Sequence, residues 1–206
     1  MNQRYFVVIR YLVDDIDVGL VAGRCISILH GVLCSKANKY SGIGVAFPQW
    51  SSDSLGNEIA FVSSDKSALQ FLINQPYFEM MVSDNIFAVS CVCIVPNDLP
   101  EVRFKRNQNI AKCFTGEKRR RLERAKRRAK ERGEIFEPIN DYQNREVGIF
   151  HRVFMTSKQS GQRYILHIQK ELSQGATDTF TSYGFASNKE YQGSVPDLSS
   201  QDPFYS

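Results

Sequence analysis

The stretch YFVVIRYLVDDIDVGLVAGRCISILHGVLCSK, residues 5–36, decides the fold of this 206-residue chain. Its first part, Tyr5–Val13, is rich in apolar and β-branched residues, which predicts a strand. Asp14 or Asp15 can then cap a helix that runs to about Lys36. The apolar residues of that segment recur with helical spacing, at positions 18, 21/22, 25, 29 and 32/33. We therefore expect a strand followed directly by a helix with one apolar face.

The next sixty residues extend this pattern. Gly42–Phe47 and Glu58–Ser63 are typical of strands, and a turn-rich segment separates them. Asp65 can cap a second helix, Lys66–Asn74, and Ile86–Val95 predicts another strand. The order β-α-β-β-α-β predicts an α+β fold with a ferredoxin-like domain, in which two helices cover one face of an antiparallel sheet.

A short segment with two prolines, residues 96–100, predicts a linker after this domain. We therefore expect a ferredoxin-like domain over residues 1–96 and a smaller α/β domain with an Arg-rich helix over residues 97–206. In the second domain, Ile149–Met155, Tyr164–Gln169 and Asp178–Tyr183 are predicted to be short strands.

Positive charge is concentrated in the second half. Residues 103–132 contain fourteen Lys or Arg and three Glu, a local net charge of +11, whereas the whole chain is only +4 and the other 176 residues sum to −7. Residues 117–132 are good helix formers, Gly133 is a typical stop, and the only apolar side chains are Leu122, Ala125 and Ala129. This apolar stripe is too narrow to bury the helix.

Such a confined basic helix predicts binding to nucleic acid. Arginines four residues apart repel one another by a few tenths of a kcal/mol per pair, and a polyanion would relieve that repulsion. The alternative is a solvated charged helix or linker. A membrane surface fits less well, because the helix lacks a face of Trp, Phe and Leu.

The amino-acid composition limits the other classes of protein to which the chain could belong. A hydrophobic content of 42% suffices for a core, and no apolar run approaches the roughly 20 residues of a membrane span. The N-terminus has no signal-peptide pattern, and the five cysteines include no CxxC pair. Cys91 and Cys93 would share one face of a strand, which fits reduced, packed cysteines. These features predict a cytoplasmic protein.

The sequence contains no ExK or HxH pattern of a metal-dependent nuclease. If the protein cuts nucleic acid, a metal-free reaction on RNA is the simpler hypothesis, because the RNA 2′-OH can itself attack the adjacent phosphorus. That reaction needs a base, a group that positions the 2′-OH and charge stabilisation at the phosphate. Of the three histidines, His30 is the candidate, at the rim of the apolar stripe of the first helix. The alternative for His30 is a half-buried structural histidine, while His151 and His167 have no motif around them.

Several motifs occur together in one order along the chain: LHG at 29–31, IGVAFP at 43–48, the basic run, SKQSGQRY at 157–164 and SYGF at 182–185. Taken jointly, they resemble the CRISPR repeat-processing endoribonucleases of type I-F systems, over residues 1 to about 187. The stretch 120–138 and the SYG-containing end are similar to the branch of this family that is carried by transposons using CRISPR guides.

The resemblance implies roles for individual residues. His30 matches the catalytic histidine, which handles the proton of the attacking 2′-OH or of the leaving 5′-oxygen. Ser157 matches the serine that holds the 2′-OH, and Tyr183 matches the tyrosine that orients the site. Gln159 stands where the family often has a second hydroxyl. Tyr164 lies where an aromatic ring stacks on the base pair beside the scissile bond.

The resemblance also implies how the RNA is recognised. Arg106 and Gln108 match an Arg-x-Gln pair that reads base edges in the hairpin stem. The basic helix would lie along the major groove where the stem opens toward its loop, since an A-form major groove is otherwise too narrow. The helix arginines expected to contact RNA are Arg119, Arg120, Arg121, Arg124, Arg127 and Arg128.

The implied activity is metal-independent cleavage of precursor CRISPR RNA at the 3′ base of the repeat stem-loop, which leaves a 2′,3′-cyclic phosphate and requires no cofactor. The implied partners are the repeat stem-loop RNA, other subunits of a type I-F guide complex and, for the transposon-carried branch, a TniQ-like adaptor. Two alternatives stay open: a non-catalytic hairpin-RNA-binding subunit and a basic DNA-binding accessory protein.

Overall fold

The computed structural model describes residues 3–37, 40–135, 147–157, 160–187 and 190–204, without the side chains at 112, 115–118 and 121. Its elements in chain order are β1 (Tyr5–Tyr11), α1 (Val18–Cys34), β2 (Gly44–Ala46), β3 (Glu58–Ser63), α2 (Lys66–Ile73), α3 (Pro76–Ser83), β4 (Phe87–Val89), β5 (Cys93–Ile94), β6 (Glu101–Arg106), α4 (Thr115–Arg132), β7 (His151–Thr156), β8 (Arg163–Leu172) and β9 (Val195–Pro196). None of the described helices is long and apolar enough to cross a membrane.

The first sheet has the order β2-β3-β1, with β4 and β5 both pairing with the free side of β1, and every pair is antiparallel. Val8 faces Ala60 across the central pair, and all six residues of β3 are buried. The predicted α+β class with a ferredoxin-like arrangement is confirmed.

Local chemistry moves some element boundaries. Asp17, and neither Asp14 nor Asp15, caps α1: its carboxylate accepts a hydrogen bond of 2.9 Å from the Leu20 N–H. Asp15 has a left-handed backbone, φ 57°, and belongs to the preceding turn. Predicting one strand over 86–95 was wrong, because Ser90 interrupts it. The Ser90 hydroxyl accepts from the Val8 N–H, so that β4 and β5 pair with separate parts of β1.

Four antiparallel strands in the order β7-β8-β6-β9 form the second sheet. The predicted strands over 149–155 and 164–169 are confirmed with shifted ends. The predicted strand Asp178–Tyr183 was wrong: its backbone groups bond within a folded loop, with Thr181 N–H donating to the Phe185 carbonyl and Gly193 N–H to the Thr179 carbonyl. Sequence reasoning also missed β6 and α3.

Buried aromatic rings join the two halves of the chain. Phe47, from the loop after β2, lies 5.3 Å from Phe104 of β6 and 6.3 Å from Phe185, measured between ring centroids. One continuous buried cluster contains side chains from both sheets. Division into two domains at residue 96 stays a prediction.

Candidate functional site

His30 lies on α1, half-buried, beside the fully buried Leu29. Its ring stacks on the Tyr183 ring, with centroids 4.3 Å apart and planes 8° from parallel. His30 Nδ1 is 3.3 Å from the carbonyl oxygen of Ser182. A carbonyl oxygen only accepts hydrogen bonds, so this contact selects the tautomer with its proton on Nδ1, and Nε2 then carries the lone pair, 3.8 Å from the Cys34 sulfur.

A tight turn brings Tyr183 to that histidine. Gly184 has φ 77°, and a methyl group added there would come within 2.6 Å of Val45 and 2.8 Å of Leu29, the neighbour of His30. The Gly184 carbonyl accepts from the Val45 N–H at 2.9 Å. Only glycine fits this close, left-handed position without strain. The turn is thereby packed against both β2 and α1, which fixes the ring stack.

Tyr164 of β8 contacts Tyr183 through its hydroxyl group. The two hydroxyl oxygens are 3.0 Å apart. Burial and the hydrogen bond with Tyr183 raise the pKa of Tyr164 to about 12. Tyr164 is therefore a neutral hydrogen-bonding group at neutral pH and cannot serve as the base.

Ser157 follows the last residue of β7. Its hydroxyl accepts a hydrogen bond from the Ser160 N–H at 3.3 Å, and its backbone N–H donates to the Gln162 carbonyl. These bonds hold the serine in the turn between β7 and β8. Among the described residues, no hydrogen bond joins Ser157 directly to His30.

Helix α1, which carries His30, and strand β7, which leads to Ser157, are in close contact. A methyl group at Gly19 would lie 2.5 Å from the Arg152 carbonyl oxygen, and one at Gly23 would lie 1.9 Å from the Phe154 carbonyl oxygen. Helix and strand therefore run in the same direction in backbone contact. From Gly23 to His30 is seven helical residues, about 10.5 Å, and from Phe154 to Ser157 is three extended residues, about 10 Å. His30 and Ser157 therefore lie at similar distances beyond this contact, each along its own part of the chain.

The predicted base-reading pair lies at the end of β6. The Arg106 guanidinium is 5.7 Å from the centre of the Tyr183 ring, so one positive charge borders the histidine site. Its backbone N–H donates to the Ala186 carbonyl at 2.8 Å. Gln108 is exposed in the following turn. The structure therefore joins Arg106 to the His30 and Tyr183 group, and leaves Gln108 open to a ligand.

Helix α4 carries the arginines that are predicted to contact RNA phosphates. Arg119 is 81% exposed and lies 3.8 Å from Glu123, and Arg127 is 72% exposed and lies 3.7 Å from Glu131. Arg120, Arg124 and Arg128 are also exposed, while the side chain of Arg121 lies outside the described residues. Exposed ion pairs of this kind are weak and give way to a phosphate. The helix ends as predicted, at Gly133 with φ 70°.

An aromatic cluster at the start of α4 was missed by sequence reasoning. Phe114 precedes the helix, and its ring centroid lies 5.5 Å from that of His167, which is also 5.5 Å from Phe150. The Arg152 guanidinium lies 5.4 Å from the Phe114 ring. Burial, and then the charge of Arg152, lower the pKa of His167. His167 therefore packs against Phe114, the residue that precedes the basic helix.

Cys34 is the other residue that sequence reasoning missed. Its sulfur lies 3.5 Å from Nδ1 and 3.8 Å from Nε2 of His30, one helical turn earlier. The spacing of four residues on a predicted helix could have indicated this contact. Within the described parts of the chain, no group of three or more His, Cys, Asp or Glu side chains is arranged to hold a metal ion.

A family model described as "CRISPR-associated protein (Cas_Csy4)" matches residues 8–197, which include the His30 and Tyr183 group, Ser157 and the whole of α4. A search of curated proteins found no match.

Proposed function

This chain belongs to the Cas_Csy4 family of CRISPR-associated proteins, and from that premise we propose that it is a metal-independent endoribonuclease. Family membership makes it a repeat-processing RNA-binding protein. The proposal adds the chemistry: the chain cleaves precursor CRISPR RNA at the 3′ base of the repeat stem-loop. The observation that carries the proposal is the fixed ring of His30, stacked on Tyr183 with Nδ1 against a carbonyl oxygen.

In the proposed reaction the 2′-oxygen of the RNA forms a bond to the adjacent phosphorus, and the bond from phosphorus to the 5′-oxygen breaks. The products are a 2′,3′-cyclic phosphate and a 5′-hydroxyl. His30 Nε2 takes the proton of the 2′-OH or, as imidazolium, gives one to the leaving 5′-oxygen. Ser157 holds the 2′-OH in line, and the close contact between α1, which carries His30, and β7, which leads to Ser157, supports this role.

Tyr183 and Tyr164 orient the site. The Tyr183 ring limits rotation of the imidazole, and the hydroxyl pair at 3.0 Å ties that ring to β8. Tyr164 is only partly buried, so the exposed part of its ring can stack on a base pair.

Recognition is divided between two surfaces. The exposed arginines Arg119, Arg120, Arg124, Arg127 and Arg128 of α4, together with Arg121, contact phosphates without reading sequence. Arg106 and Gln108 read base edges beside the histidine site. The chain then stays on the hairpin as a subunit of a type I-F guide complex, because a long basic clamp favours slow release. In the transposon-carried branch a TniQ-like adaptor would belong to the same assembly.

Cleavage of end-labelled repeat RNA in EDTA tests the proposal. Wild-type protein should cleave, His30→Ala should lose cleavage and keep hairpin affinity within a few-fold, and RNA with a single 2′-H before the scissile phosphate should bind uncut. His151→Ala is the matched control, since His151 bonds the Ser51 carbonyl elsewhere in the fold. Full activity of His30→Ala, or cleavage of the deoxy substrate, would refute the mechanism. Tight binding without any cleavage would favour the non-catalytic subunit.

A further inference from the structure

A second surface, remote in sequence from the basic helix, combines exposed apolar side chains with acidic ones. Five of the thirteen exposed large apolar side chains among the described residues lie in only two segments. They are Leu12 (49% exposed), Val13 (46%), Leu20 (46%), Met80 (52%) and Val82 (42%).

Backbone hydrogen bonds join these two segments into one surface. The Leu12 N–H donates to the Ile86 carbonyl at 2.9 Å, and the Ile86 N–H donates to the Met81 carbonyl at 2.9 Å. The connection from β1 to α1 therefore lies against the turn from α3 to β4. Leu20 belongs to the first turn of α1, which the Asp17 carboxylate caps at 2.9 Å.

The charge of this region is mainly negative. Residues 11–24 and 74–90 contain five acidic residues and one basic residue, Arg24. Arg24 is exposed and lies near Tyr77 of α3. All five acidic side chains are exposed: Asp14, Asp15, Asp17, Glu79 and Asp84. We call the five apolar and five acidic side chains together the acidic apolar surface. Together with Arg24, the two segments carry a net charge of −4, in contrast to +11 on residues 103–132, so RNA and anionic membranes are repelled from them.

Both turns of this surface are conformationally defined. The two described non-glycine residues with positive φ are Asp15, at 57°, and Asn85, at 55°, and each lies in one of the two turns. Pairing of β1 with β4 holds the turns side by side, through Tyr11 opposite Phe87. A surface already fixed in this way loses little conformational entropy on binding.

We propose that the acidic apolar surface docks a protein partner that presents apolar side chains bordered by Lys and Arg. Exposed apolar side chains grouped on one surface are typical of interaction sites. The net negative charge indicates a positively charged partner, because complementary charges steer association and like charges oppose it. This site goes beyond RNA cleavage: it uses no residue of the His30 site and none of α4, so both can be occupied together.

A peptide probe tests the chemistry. The probe is an 18-residue fluorescein-labelled amphipathic helix of Leu and Lys, compared with one of Leu and Glu, and binding to the RNA-free full chain is followed by fluorescence anisotropy at 150 mM salt. Two double variants remove parts of the surface: Leu12→Ser with Val82→Ser, and Asp14→Asn with Asp84→Asn. The matched control, Asp53→Asn with Asp178→Asn, removes exposed acids elsewhere.

We expect the chain to bind the Lys-containing peptide, each surface variant to weaken that binding at least tenfold, and the control to bind like wild type. Any binding of the Glu-containing peptide should be unchanged in the surface variants, because the basic helix α4 is exposed in the RNA-free chain. All variants should cleave repeat RNA at the wild-type rate, which separates failure here from failure of the proposed function. Absence of binding to the Lys-containing peptide, or unchanged binding of it by both surface variants, would overturn the proposal. So would self-association of the chain that the surface variants abolish, because the occupant would then be a second copy.

Discussion

Replacing Gly23 with alanine would place a methyl group 1.9 Å from the Phe154 carbonyl oxygen, where ordinary contacts begin at 3.4 Å. The obstacle is backbone in the middle of β7 and cannot rotate away. Helix α1 must therefore move off the strand by about 1.5 Å. His30 moves with its helix, whereas Ser157 stays with β7.

Errors of about 1 Å in the placement of reacting groups cost on the order of 100-fold in rate. We therefore expect Gly23→Ala to lower the single-turnover cleavage rate about 100-fold. Overpacking costs about 1–3 kcal/mol of stability, and the better helix propensity of alanine offsets up to about 1 kcal/mol of it. A net loss of about 1–2 kcal/mol leaves the protein folded at room temperature.

The assay compares the single-turnover rate and the hairpin dissociation constant of the same preparation, with thermal unfolding as the check on folding. The dissociation constant should stay within about threefold, because α4 and Arg106 do not lie on α1. Gly175→Ala is the control, since a methyl group there meets nothing within 4 Å. A folded Gly23→Ala protein that cleaves at the wild-type rate would refute the proposal that this contact aligns His30 with Ser157.

Three further outcomes follow from the site. Tyr183→Phe keeps the ring stack and loses only a hydroxyl contact worth about 1 kcal/mol, so its cleavage rate should fall less than that of Tyr183→Leu; equal rates would contradict a stacking role. Arg124→Glu with Arg128→Glu should weaken hairpin binding and reduce the slope of its salt dependence by about one unit per lost phosphate contact. Arg106→Ala should chiefly relax discrimination among stem sequences, by roughly 1–3 kcal/mol. If both variants show the same salt dependence and the same sequence discrimination in binding titrations, the division into phosphate-contacting and base-reading residues is wrong. The pKa of His167 is lowered by burial and by a neighbouring charge, so the unfolded chain takes up a proton near pH 6.5 before the folded one does, and stability falls as pH drops from there through the lower folded pKa. In His167→Leu the melting temperature should therefore fall less between pH 7 and pH 5 than in wild type. An equal fall in both proteins would show that His167 does not contribute to the loss of stability at low pH.

Sequence patterns correctly predicted the elements that are stabilised by residues close to one another in the chain. The apolar stripe of α1 and the cap at Asp65 depend on neighbours within a few residues, and both occur in the structure. Strand β6 was missed because only Val102 and Phe104 mark its buried face, and its pairing with β8 joins residues more than sixty positions apart. The segment 178–183 has strand-like residues but pairs with its own loop, which no local pattern indicates.

Sequence alone determined that the chain carries one strongly basic helix ending at Gly133 and a histidine at the edge of an amphipathic helix, because charge and helical spacing are properties of consecutive residues. Tertiary structure alone decided what surrounds that histidine. The Ser182 carbonyl, 152 positions from His30 in sequence, and the adjacent Tyr183 ring reach this histidine because Gly184 allows a left-handed turn against Leu29 and Val45. Helix α1 touches the backbone of β7, the strand that leads to Ser157, because Gly19 and Gly23 have no side chain. Contacts at such separations depend on how two sheets and a helix pack together, and no stretch of consecutive residues contains that information.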